Sequence, residues 1–188
     1  MRIVGGTARG RTLAAPKSDD VIRPTADRVR ETLFNILGQT CDDLDVLDLY
    51  AGTGALGLEA VSRGANKAVL VDSGREALAL CKENIEALKF GAKVELLVMD
   101  AIKAIASLGK QGRTFQLVFA DPPYNKRAGL SILEALDAAN VITDGGIAVI
   151  ETGADEKLPE QQGRFTRIDE RAYGATNVSI FRLTHHAA

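Results

Sequence analysis

The sequence predicts an α/β fold, a mostly parallel sheet with helices on both faces, preceded by a short β-hairpin arm. Three observations predict it. Strand-like and helix-like segments alternate from Asp45 onward. The strand-like segments are unbroken apolar runs, such as Val69–Leu70–Val71 and Leu117–Val118–Phe119, which need cover on both faces. The first of these strands passes into its helix through a glycine-rich turn at 52–57, where the chain can bend tightly and let a ligand approach the backbone.

In chain order, residues 2–5 and 10–15 read as two short strands about a turn at 6–9, a hairpin. A polar loop over 16–24 ends in Arg23–Pro24. From Thr25 the residues Ala26, Val29, Leu33, Ile36 and Leu37 recur at helical spacing, with Thr25 able to cap the helix and Gly38 able to end it. A strand over 45–50 then leads to a helix over 55–63, and a strand over 67–72 to a helix over 75–89 with Leu78, Cys81, Ile85 and Leu88 on one face. A strand over 93–99 precedes a short helix at 101–108, and a strand over 115–121 precedes a helix at 128–139. The fifth strand is 146–152. Strands at 164–172 and 177–183 meet at Gly174 as a hairpin, so at least one strand runs antiparallel. Residues 1–38 are read as the arm and its helix, and 39–188 as the catalytic domain.

A chain of 188 residues suits one domain with a proper core. Its two cysteines, Cys41 and Cys81, fit neither a metal site nor a disulfide framework. They are expected as free thiols in a reducing compartment. No metal-binding cluster is visible. No signal-like or membrane-spanning run is visible either, so a soluble cytoplasmic protein is expected. The formal net charge is −2, but it is unevenly spread. Residues 1–30 carry seven basic and three acidic side chains, against 16 and 22 in the remainder. A basic arm on an acidic body suits a polyanion held at one end, through Arg9, Arg11 and Lys17, with Arg23 facing either that polyanion or the ligand pocket. A solvated basic hairpin explains the same charges equally well. Cofactor binding is expected not to depend on this arm.

Two motifs carry chemistry. The first runs from Asp48 through Tyr50, Ala51, Gly52, Thr53 and Gly54 to Gly57, and Asp72 ends the next strand. Gly52, Gly54 and Gly57 satisfy the G-x-G-x-x-G pattern of dinucleotide sites, with Asp72 where a carboxylate would hold ribose hydroxyls. Asp48 argues against a dinucleotide, because a carboxylate there would repel pyrophosphate. S-adenosylmethionine carries an ammonium and a sulfonium, which a nearby acid favours. Asp48 could instead only tie down the turn. Asp100, followed by Ala101, ends the third strand, where it can meet an adenine amino group or cap the following helix. Asn84 reads as structural.

The second motif is Asp121–Pro122–Pro123–Tyr124, after the fourth strand, at the end where ligands bind in open α/β sheets. Asp121 can accept a hydrogen bond from an exocyclic N–H. The paired prolines stiffen the backbone, so the Pro122 carbonyl can accept a second. Two such acceptors help a base nitrogen shift its lone pair toward an incoming methyl group, and they stabilise the charge that develops. Tyr124 can stack on the base. The string alone does not choose among adenine N6, cytosine N4 and guanine N2.

These residues together resemble the class I Rossmann-like methyltransferases that act on amino groups of bases. A narrower signature is carried by Met1–Gly6, Gly10–Arg11, Leu13, Arg23–Thr25, Asp27–Glu31, Leu33–Leu37, Ser62–Ala65 and Tyr173–Gly174. It is similar, end to end, to the bacterial 16S ribosomal RNA guanine-N2 methyltransferases of the RsmD type. The resemblance implies a seven-stranded sheet, S-adenosylmethionine as cofactor, and guanine 966 of 16S rRNA in a 30S particle or assembly intermediate as substrate, with a monomeric enzyme expected. It departs from the family at Asp72, where Glu is frequent. Rival readings are an adenine-N6 DNA methyltransferase, an NAD-binding oxidoreductase, and a binding module in which Asp121 is idle. His185 and His186 are read as tail.

Overall fold

The computed structural model describes residues 1–16, 24–123 and 127–184. The chain divides into two compact units, Met1–Val98 and Met99–Ala188. Together they hold five helices and eight strands among the described residues.

In the first unit, α1 (Pro24–Ile36), β1 (Asp45–Leu49), α2 (Ala55–Ser62), β2 (Lys67–Asp72), α3 (Arg75–Leu88) and β3 (Val94–Val98) follow in turn. The strands lie in the order β3-β2-β1, all parallel, with Leu49 opposite Val71 and Asp72 opposite Val98. Burial is continuous along β1 and β2, so both of their faces are covered, as the unbroken apolar runs require. β3 is half-exposed, and Val98 is 61% exposed.

The N-terminal hairpin pairs less regularly than expected. Arg2 and Thr12 form a single antiparallel bridge, with Ile3 N–H donating to Arg11 O at 2.9 Å and Leu13 N–H to Met1 O at 3.0 Å. The expected strands at 2–5 and 10–15 therefore shrink to one bridge, because the backbone of Val4, Gly5 and Ala8 bonds to α2 side chains instead. α1 begins at Pro24, so Thr25 is the second residue of the helix and does not precede it. Proline suits a first turn, where its missing N–H costs nothing.

In the second unit, α4 (Ala101–Lys110), β4 (Phe115–Ala120), α5 (Ala128–Ala139), β5 (Ile142–Gly153), β6 (Gln161–Gln162), β7 (Phe165–Tyr173) and β8 (Thr176–Leu183) follow. The strand order is β4-β5-β8-β7-β6. β4 and β5 are parallel, whereas β8 is antiparallel to both β5 and β7. The expected count of seven strands becomes eight through the two-residue β6 beside β7. Phe119, Ile105, Leu108, Ile132, Phe165 and Phe181 are fully buried here.

Candidate functional site

Unit 1 brings together the residues of the first motif. β1 ends at Leu49, and the chain turns through Tyr50, Ala51, Gly52, Thr53 and Gly54 into α2. Tyr50, Gly52 and Gly54 all have positive φ, at 60°, 58° and 79°. For the two glycines this is free of side-chain strain, whereas Tyr50 adopts a conformation rare for a side chain of its size.

Side chains of β2 and α3 tie the turn at Gly52 and Thr53. Gly52 N–H donates to Asp72 Oδ2 at 2.9 Å, and Asp72 Oδ1 accepts the Gly74 N–H at 2.8 Å. The Cys81 thiol donates to Gly52 O at 3.1 Å, and Asn84 Nδ2 donates to Thr53 O at 2.9 Å. Burial pushes the Cys81 thiol up to about 12, with Asp48 and Asp72 adding to the rise, so it stays protonated as a donor. Each Asp72 oxygen accepts one backbone N–H and has a second lone pair, a fit for the paired hydroxyls of a ribose.

Asp48 is buried, and its Oδ2 accepts the Gly57 N–H at 2.9 Å. Gly57 is the third residue of α2, whose N-cap Gly54 offers no side chain. Asp48 thus caps the helix from β1, supplying the negative charge that a helix N-terminus favours. The turn-tying role foreseen as the plainer alternative is real. It also weakens the dinucleotide reading, because a carboxylate of the chain itself sits where pyrophosphate would seek an N–H. A cationic ligand meets no such conflict.

In unit 2, Asp100 caps α4: its Oδ1 accepts the Lys103 N–H at 3.0 Å, and Ala101 is the buried first residue of the helix. Asp100 is exposed, so its capping bond leaves the other oxygen reachable. Asp121 follows β4 directly, with Pro122 buried and Pro123 exposed. The residue retains a solvent-facing side, yet the chain packed around its carboxyl desolvates it and raises its pKa from 3.8 to about 6. Tyr124 lies outside the described residues, as do Lys17, Arg23, His185 and His186.

Of the basic arm, Arg9 and Arg11 are exposed, and Arg11 Nη2 donates to Ala87 O on α3 at 2.7 Å. Arg30 of the same segment is instead buried and paired within the unit. Glu59 on α2 is fully buried, and its carboxylate accepts from Val4 N–H (2.9 Å), Gly5 N–H (2.7 Å), Arg63 Nε (2.8 Å) and Arg30 Nε (3.3 Å). Arg30 Nη2 also donates to Asp27 Oδ1 at 2.9 Å and to the Arg2 carbonyl. Glu59, Cys81 and the linking role of Asn84 escaped sequence reasoning. A polar residue on the apolar face of α3 was the one available signal for Asn84.

Among the described residues, no group of three or more His, Cys, Asp or Glu is placed to hold a metal. No helix among them is long and apolar enough to cross a membrane.

Comparison with known proteins adds four findings. The family described as "Conserved hypothetical protein 95" matches residues 1–182. The ribosomal RNA small subunit methyltransferase D of Escherichia coli is 34% identical over 97% of this chain and 89% of its own length. A Bacillus subtilis protein provisionally named an rRNA methyltransferase is 33% identical over 97% and 98%. Among solved structures, an Escherichia coli protein provisionally titled a methyltransferase superposes with a TM-score of 0.85 at 33% identity, covering 98% of each chain.

Proposed function

This chain belongs to the family described as conserved hypothetical protein 95, and from that premise we propose that it is an S-adenosylmethionine-dependent ribosomal RNA methyltransferase. The observation that carries the reading is the closed turn of unit 1. Asp48 fills the helix N-terminus, and Asp72 presents its remaining lone pairs beside Gly52, which suits a ribose-bearing cation and not a pyrophosphate.

In this reading Asp48, Tyr50, Ala51, Gly52, Thr53, Gly54, Gly57 and Asp72 form the cofactor set, joined by Asp100 and Ala101. Asp72 binds the ribose hydroxyls, and Asp100 accepts from the adenine amino group. The bound cofactor supplies an electrophilic methyl group. Asp121 and Pro122, with Pro123 stiffening them, accept hydrogen bonds from the exocyclic amine of the target base, and Tyr124 stacks on its ring. Methyl transfer would form the N–C bond as the cofactor's S–C bond breaks, and would leave the amine nitrogen positive until it gives up a proton to solvent. The ionised Asp121 then interacts more strongly with its proton than in the ground state, which is the condition for rate acceleration.

The finer assignment is N2 of guanine 966 in 16S rRNA, within a 30S particle or assembly intermediate, by a single copy of the enzyme. It rests on the signature residues of the arm, α1 and the 62–65 corner. Residues 1–38 serve as the RNA-docking arm, through Arg9, Arg11, Lys17 and Arg23. The test is incubation with tritiated S-adenosylmethionine and 30S particles from a strain lacking the modification, followed by nucleoside analysis. Label in N2-methylguanosine at that position is the expected result. Label in another nucleoside overturns the finer assignment, and no label in RNA overturns the function.

A further inference from the structure

Asn84 joins two parts of unit 1 that the sequence treats as separate. It lies on α3 at 1% exposure, on a face shared with Leu78, Cys81 and Leu88. Its Oδ1 accepts the Ala14 N–H at 2.7 Å. Its Nδ2 donates to Ala14 O at 3.1 Å and to Thr53 O at 2.9 Å. A side-chain amide has two N–H donors. One is used on the arm and the other on the glycine turn. One helical turn further along α3, the Ala87 carbonyl holds Arg11 of the same arm. Thr53 Oγ1 also lies 3.6 Å from Met1 Sδ, a second contact between turn and arm.

We propose that Asn84 is a positioning residue that couples RNA docking on the arm to cofactor binding at the turn. This rests on the function proposed above, which places RNA on the arm and the cofactor at Gly52–Gly57. Swinging the amide away would strand the Ala14 N–H, the Ala14 carbonyl and the Thr53 carbonyl in a partly buried place, each at the cost of an unmet hydrogen bond. The amide therefore either moves with both partners or breaks from one. A ligand that fixes the turn fixes residue 14, three positions beyond Arg11, and a ligand that fixes the arm fixes the Thr53 carbonyl. By linkage, each ligand raises affinity for the other by the same factor. The sequence expectation kept arm and cofactor independent; this proposal links them through one amide.

The first measurement needs no variant. Amide hydrogen exchange is followed on the full chain with and without saturating S-adenosylhomocysteine, which binds without turnover. Protection at Gly52 marks occupancy of the turn. The Ala14 N–H is then expected to exchange about fivefold slower or more, the lower end of ordinary coupling. Protection at Gly52 with Ala14 unchanged overturns the proposal. No protection at Gly52 sinks the cofactor reading and the coupling with it, and is thereby told apart from a failure of coupling alone.

The second measurement uses Asn84→Asp, which keeps an acceptor for Ala14 N–H but has no donor for Thr53 O, and Asn84→Ala, which has neither. In the wild type, 30S particles are expected to raise affinity for S-adenosylhomocysteine about fivefold or more. In both variants that ratio is expected to fall to about one, with melting curves confirming that they fold. An Asn84 that only stabilised the fold would lower the melting temperature and leave the ratio unchanged, and that result overturns the proposal.

Discussion

Asp121 offers the sharpest test, because its environment sets a pH at which it should stop working. Burial raises its carboxyl from 3.8 to about 6. The proposed role needs the ionised form, which alone accepts from the amine proton on both oxygens and opposes the positive charge developing on nitrogen. With a pKa of about 6, roughly 0.9 of the free enzyme is ionised at pH 7 and roughly 0.1 at pH 5. Since kcat/KM reports the free enzyme, it should fall about tenfold between these pH values. An unshifted aspartate would stay roughly 0.9 ionised at pH 5 and give almost no decline. The sign follows from the direction of the shift: a raised carboxyl pKa costs activity on the acid side, as pH falls through it. The assay is methyl transfer to 30S particles at limiting substrate from pH 5 to 8. Asp121→Asn keeps an acceptor oxygen but no charge. It should lower kcat by about 100-fold or more, the scale of removing one transition-state partner, and lose the acid limb. A flat wild-type profile down to pH 5, or an Asp121→Asn variant with near-normal turnover, refutes the reasoning.

Three further outcomes are expected. Asp72→Ala removes the acceptor of both Gly52 N–H and Gly74 N–H as well as the ribose partner. It should weaken S-adenosylmethionine binding by about 1.5–3 kcal/mol, read by calorimetry, while tight NAD binding would contradict the cofactor assignment. Glu59→Ala removes the carboxylate from buried Arg63, leaves buried Arg30 with Asp27 alone, and frees two arm N–H groups. It should cost about 3–5 kcal/mol in chemical denaturation, and a loss under 1 kcal/mol would show that the network is not a closed one. Replacing Arg9 and Arg11 with Ala should flatten the slope of log K for particle binding against log salt by about one to two units; an unchanged slope moves the docking surface elsewhere.

Periodicity made most elements readable, because it reports which faces are covered. β2 at 67–72 and α5 at 128–139 match their expected spans, since apolar runs and flanking breakers marked both ends. β5 was read too short. Its first residues include Thr143–Asp144–Gly145, which look like a turn, but Ile142 pairs with Phe115 ahead of a register shift. β6 had no signal, since two glutamines become a strand only by lying beside Thr166 and Phe165. The site shows the same division. Spacing located the glycine turn and Asp72, because both belong to one local strand–turn–helix pattern. It could not show that the Asp48 carboxylate caps Gly57, nor that Asn84 reaches residue 14, a bond spanning 70 positions.

Glu59 shows why the arm resisted reading most. From sequence it is an ordinary acid on a short helix. α2, however, is buried from Gly57 to Ser62, so its acid has no solvent to face. A buried carboxylate must be paired and hydrogen-bonded, and here the arm supplies two N–H groups while Arg30 and Arg63 supply the charge. Gly5 and Gly6 follow from that demand. A Cβ at Gly5 would fall 2.4 Å from the Arg63 guanidinium, and one at Gly6 would fall 1.8 Å from the Ser62 carbonyl. The arm is therefore the cover that makes α2 stable, and so belongs to the same unit as the glycine turn. Part of the positive charge of residues 1–30 is neutralised within this cover, since Arg30 is buried against Asp27 and Arg2 faces Asp27 at 3.7 Å. What remains outward includes Arg9, Arg11 and Arg28. In the docking role proposed above, Arg9 and Arg11 act beside Lys17 and Arg23, without the buried Arg30, so two substitutions should remove a measurable share of the salt dependence.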